Sequence, residues 1–80
     1  MTENNNKNEG QNKMKNWYIK QRHNPQLGTY FVPMGQMLKA RATEIQRGSL
    51  YGSNTMLAFP TEEAYNLYLN KLREEGKRVQ

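Results

Sequence analysis

Met56-Leu-Ala-Phe-Pro-Thr-Glu-Glu-Ala-Tyr65 carries a short apolar strand straight into a helix start, with almost no loop between them. Thr55, Leu57 and Phe59 alternate onto one face, as a half-buried strand requires. Thr61 suits the N-cap because its hydroxyl can accept from an unpaired helical N–H. Glu62 and Glu63 then sit where the helix dipole favours acids. Tyr65, Tyr68, Leu69 and Leu72, broadened by Ala64, form an apolar stripe at helical spacing. Gly76 suits the C′ position, with Lys77 and Arg78 just beyond it. Residues 77–80 are too short to assign to an element.

Working upstream, Trp17-Tyr-Ile-Lys-Gln-Arg22 reads as a strand with Trp17, Ile19 and Gln21 on one face and Tyr18, Lys20 and Arg22 on the other. His23-Asn-Pro-Gln-Leu-Gly28 reads as a turn, in which Pro25 fixes φ and Gly28 returns the chain. Thr29–Met34 is the return strand. Pro33 has no N–H for a ladder, so it belongs near a strand end, a bulge or an edge. Over Gln36–Gln46, Met37, Leu38, Arg41, Ala42 and Ile45 approximate helical spacing with Gly48 as a stop. A short helix is preferred there over an irregular loop. The expected fold is α+β: a small antiparallel three-stranded sheet packed on one C-terminal helix, in the order β-β-(short α)-β-α. Trp17, Ile19, Leu57, Phe59, Tyr65, Leu69 and Leu72 are the expected core.

One domain, residues 17–80, accounts for this pattern. Residues 1–16 hold six Asn and, apart from Met1, one apolar residue, Met14. Such a segment buries too little surface to offset its ordering entropy, and the expectation is a disordered Asn/Lys-rich arm. The chain has no Cys, which excludes disulfide staples and Cys-based zinc sites and points to a reducing, cytoplasmic setting. No apolar run approaches a signal-peptide core or a membrane span, so no membrane association is expected.

Catalytic chemistry is sparse. His23 is the lone His, and in a turn it is expected to be solvated or locally bonded. Glu62-Glu63 and Glu74-Glu75 are adjacent acids, so the members of each pair point in different directions on a helix. No Gly-rich loop precedes a helix, and Gly48-Ser-Leu-Tyr-Gly52 lacks the strand-to-helix context of a nucleophile elbow. A non-enzyme without cofactor or metal is expected.

Charge is more informative. The net charge is +5, and residues 17–60 carry most of it: Lys20, Arg22, Lys39, Arg41 and Arg47 against Glu44. A phosphate backbone is the natural partner of such a surface, although basic small proteins without nucleic-acid partners are common. The outward strand face presents Tyr18, Lys20 and Arg22. The second strand adds either Phe31 or Tyr30 and Val32, depending on register. Candidate nucleic-acid-binding residues are therefore Tyr18, Lys20, Arg22, Phe31, Lys39, Arg41 and Arg47. Aromatics among cations can stack on unpaired bases, or a twisted sheet can enter a major groove. Against this stands a covered face: the 38–45 helix could fold over the aromatics and leave the bases as a solvated rim.

The run Leu57-Ala-Phe-Pro-Thr-Glu-Glu-Ala-Tyr65 resembles the close of the three-stranded-sheet-plus-helix DNA-binding domain shared by APETALA-type plant regulators and the arm-binding domains of phage integrases. That family closes its third strand with Leu-Gly-x-Phe-x-Thr and opens its helix with Glu-Glu-Ala. The resemblance implies duplex DNA read by the sheet face away from the helix, with Lys20 and Arg22 at the basic positions of strand 1. Ala58 stands where the family has Gly, a long segment replaces its tight turn between strands 2 and 3, and those strands lack Arg and Lys. Tyr18-Ile-Lys-Gln-Arg-His-Asn-Pro-Gln-Leu-Gly-Thr-Tyr30, with Gly35-Gln36, is similar to small phage-encoded proteins of gut bacteria, which implies a mobile-element origin and the host cytoplasm. The competing expectation is a phage accessory, virion or inhibitor protein that binds a protein partner through Tyr18, Tyr30, Phe31 and Tyr51, or pairs with itself through an edge strand.

Overall fold

The computed structural model describes residues 15–80. Its elements are β1 (Lys15–Asn24), β2 (Gly28–Leu38), α1 (Lys39–Arg47), β3 (Ser53–Phe59) and α2 (Glu62–Glu74). The α+β fold expected from the sequence is present, as an antiparallel sheet in the order β2-β1-β3. Of the expected arm, residues 1–14 lie outside the described residues. Lys15 and Asn16 belong to β1, where they pair with Leu38 and Met37.

The hairpin closes through Asn24, whose Oδ1 accepts from the N–H groups of Gln26 (2.8 Å) and Leu27 (2.9 Å). This side chain substitutes for a backbone acceptor, which is why Asn is favoured at turns. Gln21 pairs with Phe31 and Arg22 with Tyr30. The register then shifts between Tyr18 and Ile19, which leaves Met34 without a partner, a β-bulge beside the edge residue Pro33. The sequence places the helix from Gln36, but β2 continues to Leu38 and α1 starts at Lys39. The reason is tertiary. Lys15 and Asn16 lengthen β1 and, with Trp17, pair with residues 36–38, while α1 has no side-chain N-cap to fix an earlier start.

Residues opposite one another on neighbouring strands share a face. Trp17, Ile19 and Gln21 lie with Phe59, Leu57 and Thr55, and with Phe31 across from Gln21. α2 packs on this face. Ile19, Phe31, Tyr65, Leu69 and Leu72 are buried together, with Trp17, Leu57, Phe59, Tyr68 and Val79 against them. Each fully buried aliphatic or aromatic side chain here contributes about 1.5–3 kcal/mol. Tyr65 is central: its ring lies 5.2 Å from Trp17 and 6.5 Å from Phe59, edge-on to the latter. Its hydroxyl accepts from the Gly35 N–H at 3.2 Å.

Both ends of α2 are closed as its sequence demands. Thr61 Oγ1 accepts from the Ala64 N–H at 3.1 Å. Gly76, at φ +76°, donates to Arg73 O, and Lys77 donates to Leu72 O, the paired bonds of a Schellman turn. That turn sends the chain back along β2. Phe31 N–H donates to Arg78 O and Gln80 N–H to Phe31 O, each at 2.8 Å, so Val79 bridges Phe31 in parallel.

The second sheet face carries α1. Ala42 and Tyr18 are both buried around a hollow of about 210 Å³ that Lys39, Thr43, Gln46, Met56 and Ala58 also line. Gln46 Oε1 accepts from the Met56 N–H (2.9 Å), and Asn54 Nδ2 donates to Ile45 O (3.1 Å), fastening α1 to the β3 edge.

Candidate functional site

The part of the second face that α1 leaves open lies toward the hairpin turn. Arg22 on β1 stands between Tyr30 on β2 and Asn54 on β3, one row across the sheet. Arg78 extends that row past the β2 edge. Its guanidinium lies 5.5 Å from the centre of the Tyr30 ring, and it donates to Leu27 O at 3.3 Å. A cation over an aromatic face is attracted by the ring quadrupole. Lys20 is the next residue on this face of β1.

The segment between α1 and β3 forms a wall over this row. Arg22 holds it there: Nη1 donates to Ser49 Oγ (2.6 Å) and Asn54 Oδ1 (3.1 Å), and Nη2 donates to Tyr51 O. Ser49 Oγ in turn donates to Gly52 O at 3.0 Å. Between wall and sheet lies an open cleft of about 320 Å³, lined by Lys20, Arg22, Tyr30, Gly48, Ser49, Leu50, Tyr51 and Asn54. Among the described residues, no carboxylate lines it. Of the five acids among the described residues, Glu62, Glu63, Glu74 and Glu75 lie on α2 or its C-cap, across the sheet. Glu44 is on α1, 3.6 Å from Arg41, an exposed pair worth little. The cleft is therefore electropositive.

The seven sequence candidates separate. Lys20 and Arg22 meet in the cleft, and Arg47 immediately precedes its wall at Gly48. Lys39 lines the Tyr18 hollow instead, and Arg41 is on α1 beside Glu44. Two corrections follow for the aromatics. Tyr18 is 3% exposed because α1 covers it, and Phe31 is 6% exposed because the register turns it under α2. Neither is available for stacking. Arg22 is also less free than its exposure on a strand suggests, since it makes two hydrogen bonds to the wall and one to Asn54 on β3. In their place the fold supplies Tyr30, Tyr51 and Arg78. Tyr30 is the register alternative to Phe31, and Tyr51 stands out in the sequence only as surplus aromatic surface. Arg78 carries no local signal, because its position depends on the tail returning to β2.

His23 Nδ1 is 3.0 Å from Thr29 Oγ1, a local bond within the hairpin. Among the described residues, no group of three or more His, Asp or Glu is placed to hold a metal ion. Among the same residues, no helix is long and apolar enough to cross a membrane. No protein-family model, curated protein or solved structure matches the chain.

Proposed function

We propose that this protein is a non-enzymatic nucleic-acid-binding module that engages a phosphate backbone with the basic row on the sheet face away from α2. One observation carries this: Arg78, Tyr30, Arg22 and Lys20 lie on that face at the hairpin end, beside a cleft that no carboxylate of the described residues lines. Lys and Arg so placed displace condensed counterions from a phosphate chain, which is the main source of sequence-independent affinity. The duplex preference implied by the sequence resemblance depends on an open sheet face. Here α1 and the Gly48–Tyr51 wall stand over that face, which favours contact along its rim. The order β2-β1-β3 also sets on opposite edges the two strands that the resembled family joins by a tight turn.

The test is fluorescence anisotropy of the full chain with labelled DNA at low salt, against the double variant Lys20→Glu, Arg78→Glu. Arg22 is left intact because it holds the wall. Affinity is expected to fall at least about tenfold with the fold retained by circular dichroism. Unchanged affinity would remove this surface from the proposal. A second reading, a protein-interaction module, has its own support: Leu50 and Tyr51 are adjacent, 88% and 76% exposed, on a fixed loop. Its signature would be a partner lost with Leu50→Ser and insensitive to salt.

A further inference from the structure

We infer that the cleft takes an unpaired nucleic-acid strand, with the Tyr51 ring as its stacking platform; this rests on the nucleic-acid reading above. Bases inside a duplex are reached by a convex element that enters a groove about 12 Å wide. The surface here is concave, with the Gly48–Tyr51 wall on one side and the Lys20–Arg22–Tyr30 floor below. Its volume, about 320 Å³, is at the small end for a ligand site and suits a single flat group better than a helix.

Tyr51 is set for this role. It lines the cleft and also a second hollow of about 330 Å³, shared with Asn24, Pro25 and Gln26 at the hairpin turn. The tyrosine thus stands between two hollows, where successive bases of one strand could lie. Its main chain is fixed by Arg22 at the carbonyl and by Gly52, which is pressed against His23. With the main chain fixed, binding has only the two side-chain torsions of Tyr51 left to order. Lys20 in the floor and Arg78 beside it, over the Tyr30 ring, supply charge for the connecting phosphates. Asn24 Oδ1 is occupied by the turn, so Gln26, exposed in the second hollow, is the side chain there with a free amide for a base edge.

The experiment uses the full chain and three forms of residue 51. Affinity is measured for a labelled oligo-pyrimidine strand and for a duplex of equal length, in the same buffer. The strand is expected to bind more tightly than the duplex. Tyr51→Ala should weaken strand binding about tenfold, and Tyr51→Phe should leave it within about twofold, since stacking needs the ring and not the hydroxyl. Because Tyr51 is exposed, neither change should alter the melting temperature. Equal affinity for strand and duplex, or strand binding that Tyr51→Ala does not change, overturns this inference but leaves the nucleic-acid reading. Absence of binding to either form at low salt overturns both and shifts the Leu50–Tyr51 loop to a protein partner.

Discussion

Gly52 decides whether the wall of the cleft can exist. Its φ is +84°, a region costly for residues with a side chain, and a Cβ there would overlap the His23 carbonyl oxygen, with Pro25 Cδ only 3.1 Å away. Gly76 shares the first constraint, at φ +76°, but has open space around it. The two positions therefore separate backbone strain from steric overlap. Gly76→Ala should cost about 1–2 kcal/mol, the strain alone. Gly52→Ala should cost about 2–4 kcal/mol as overpacking adds to strain. Urea unfolding of both variants measures the difference; equal losses would mean that the loop moves off His23 freely and that Tyr51 is not held. Arg22 shows why side-chain roles resist sequence reading. Its place on the outward strand face was legible from alternation, but the acceptors that engage it, Ser49, Tyr51 and Asn54, lie some 30 residues away and carry no mark of that contact.

Among the structural pieces, the least conspicuous closes an edge of the sheet. Residues 78–80 add a short parallel bridge to β2, occupy both outward backbone groups of Phe31, and bring Val79 against the core. At position 33, two residues along the same edge, proline offers no donor at all. The opposite edge is protected by Gln46 at the Met56 N–H. Deleting residues 78–80 should lose two backbone hydrogen bonds, the exposed Arg78–Leu27 bond and part of the Val79 burial, about 2–3 kcal/mol in urea unfolding. It should also expose the β2 edge, so sedimentation should detect self-association that the full chain lacks at the same concentration. A truncated chain as stable as the full one would show that the tail merely rests on the sheet. The contrast with α2 is instructive. Its cap, stripe and Schellman turn are legible because each depends on residues within one or two turns of one another. The face that Phe31 takes depends on the exact hairpin register, with Asn24 opposite Gly28 and Gln21 opposite Phe31, and the tail bridge depends on where α2 delivers the chain; neither is marked in the residues around Phe31 or Val79. The order of strands is of the same kind, since α1 allows β3 to join either side of the hairpin.

At the scale of the molecule, the distribution of charge matters more than its sum. Lys15–Thr61 carry six bases against Glu44, whereas Glu62–Gln80 carry four of each sign. The sheet separates most of these groups, and Arg78 crosses to the basic side by pairing with β2. If the basic row binds a strand through three or four phosphates, the logarithm of affinity should fall with that of salt at a slope of about −2 to −3. Lys20→Glu with Arg78→Glu should flatten this slope. Lys71→Glu with Arg73→Glu changes net charge by the same amount on α2, which packs on the opposite sheet face, and should leave the slope nearly unchanged. Anisotropy titrations between low and physiological salt measure both. If the two double variants flatten the slope equally, attraction arises from net charge alone and the cleft has no privileged role. If only the first does so, the asymmetry that the tail completes is what recruits the nucleic acid.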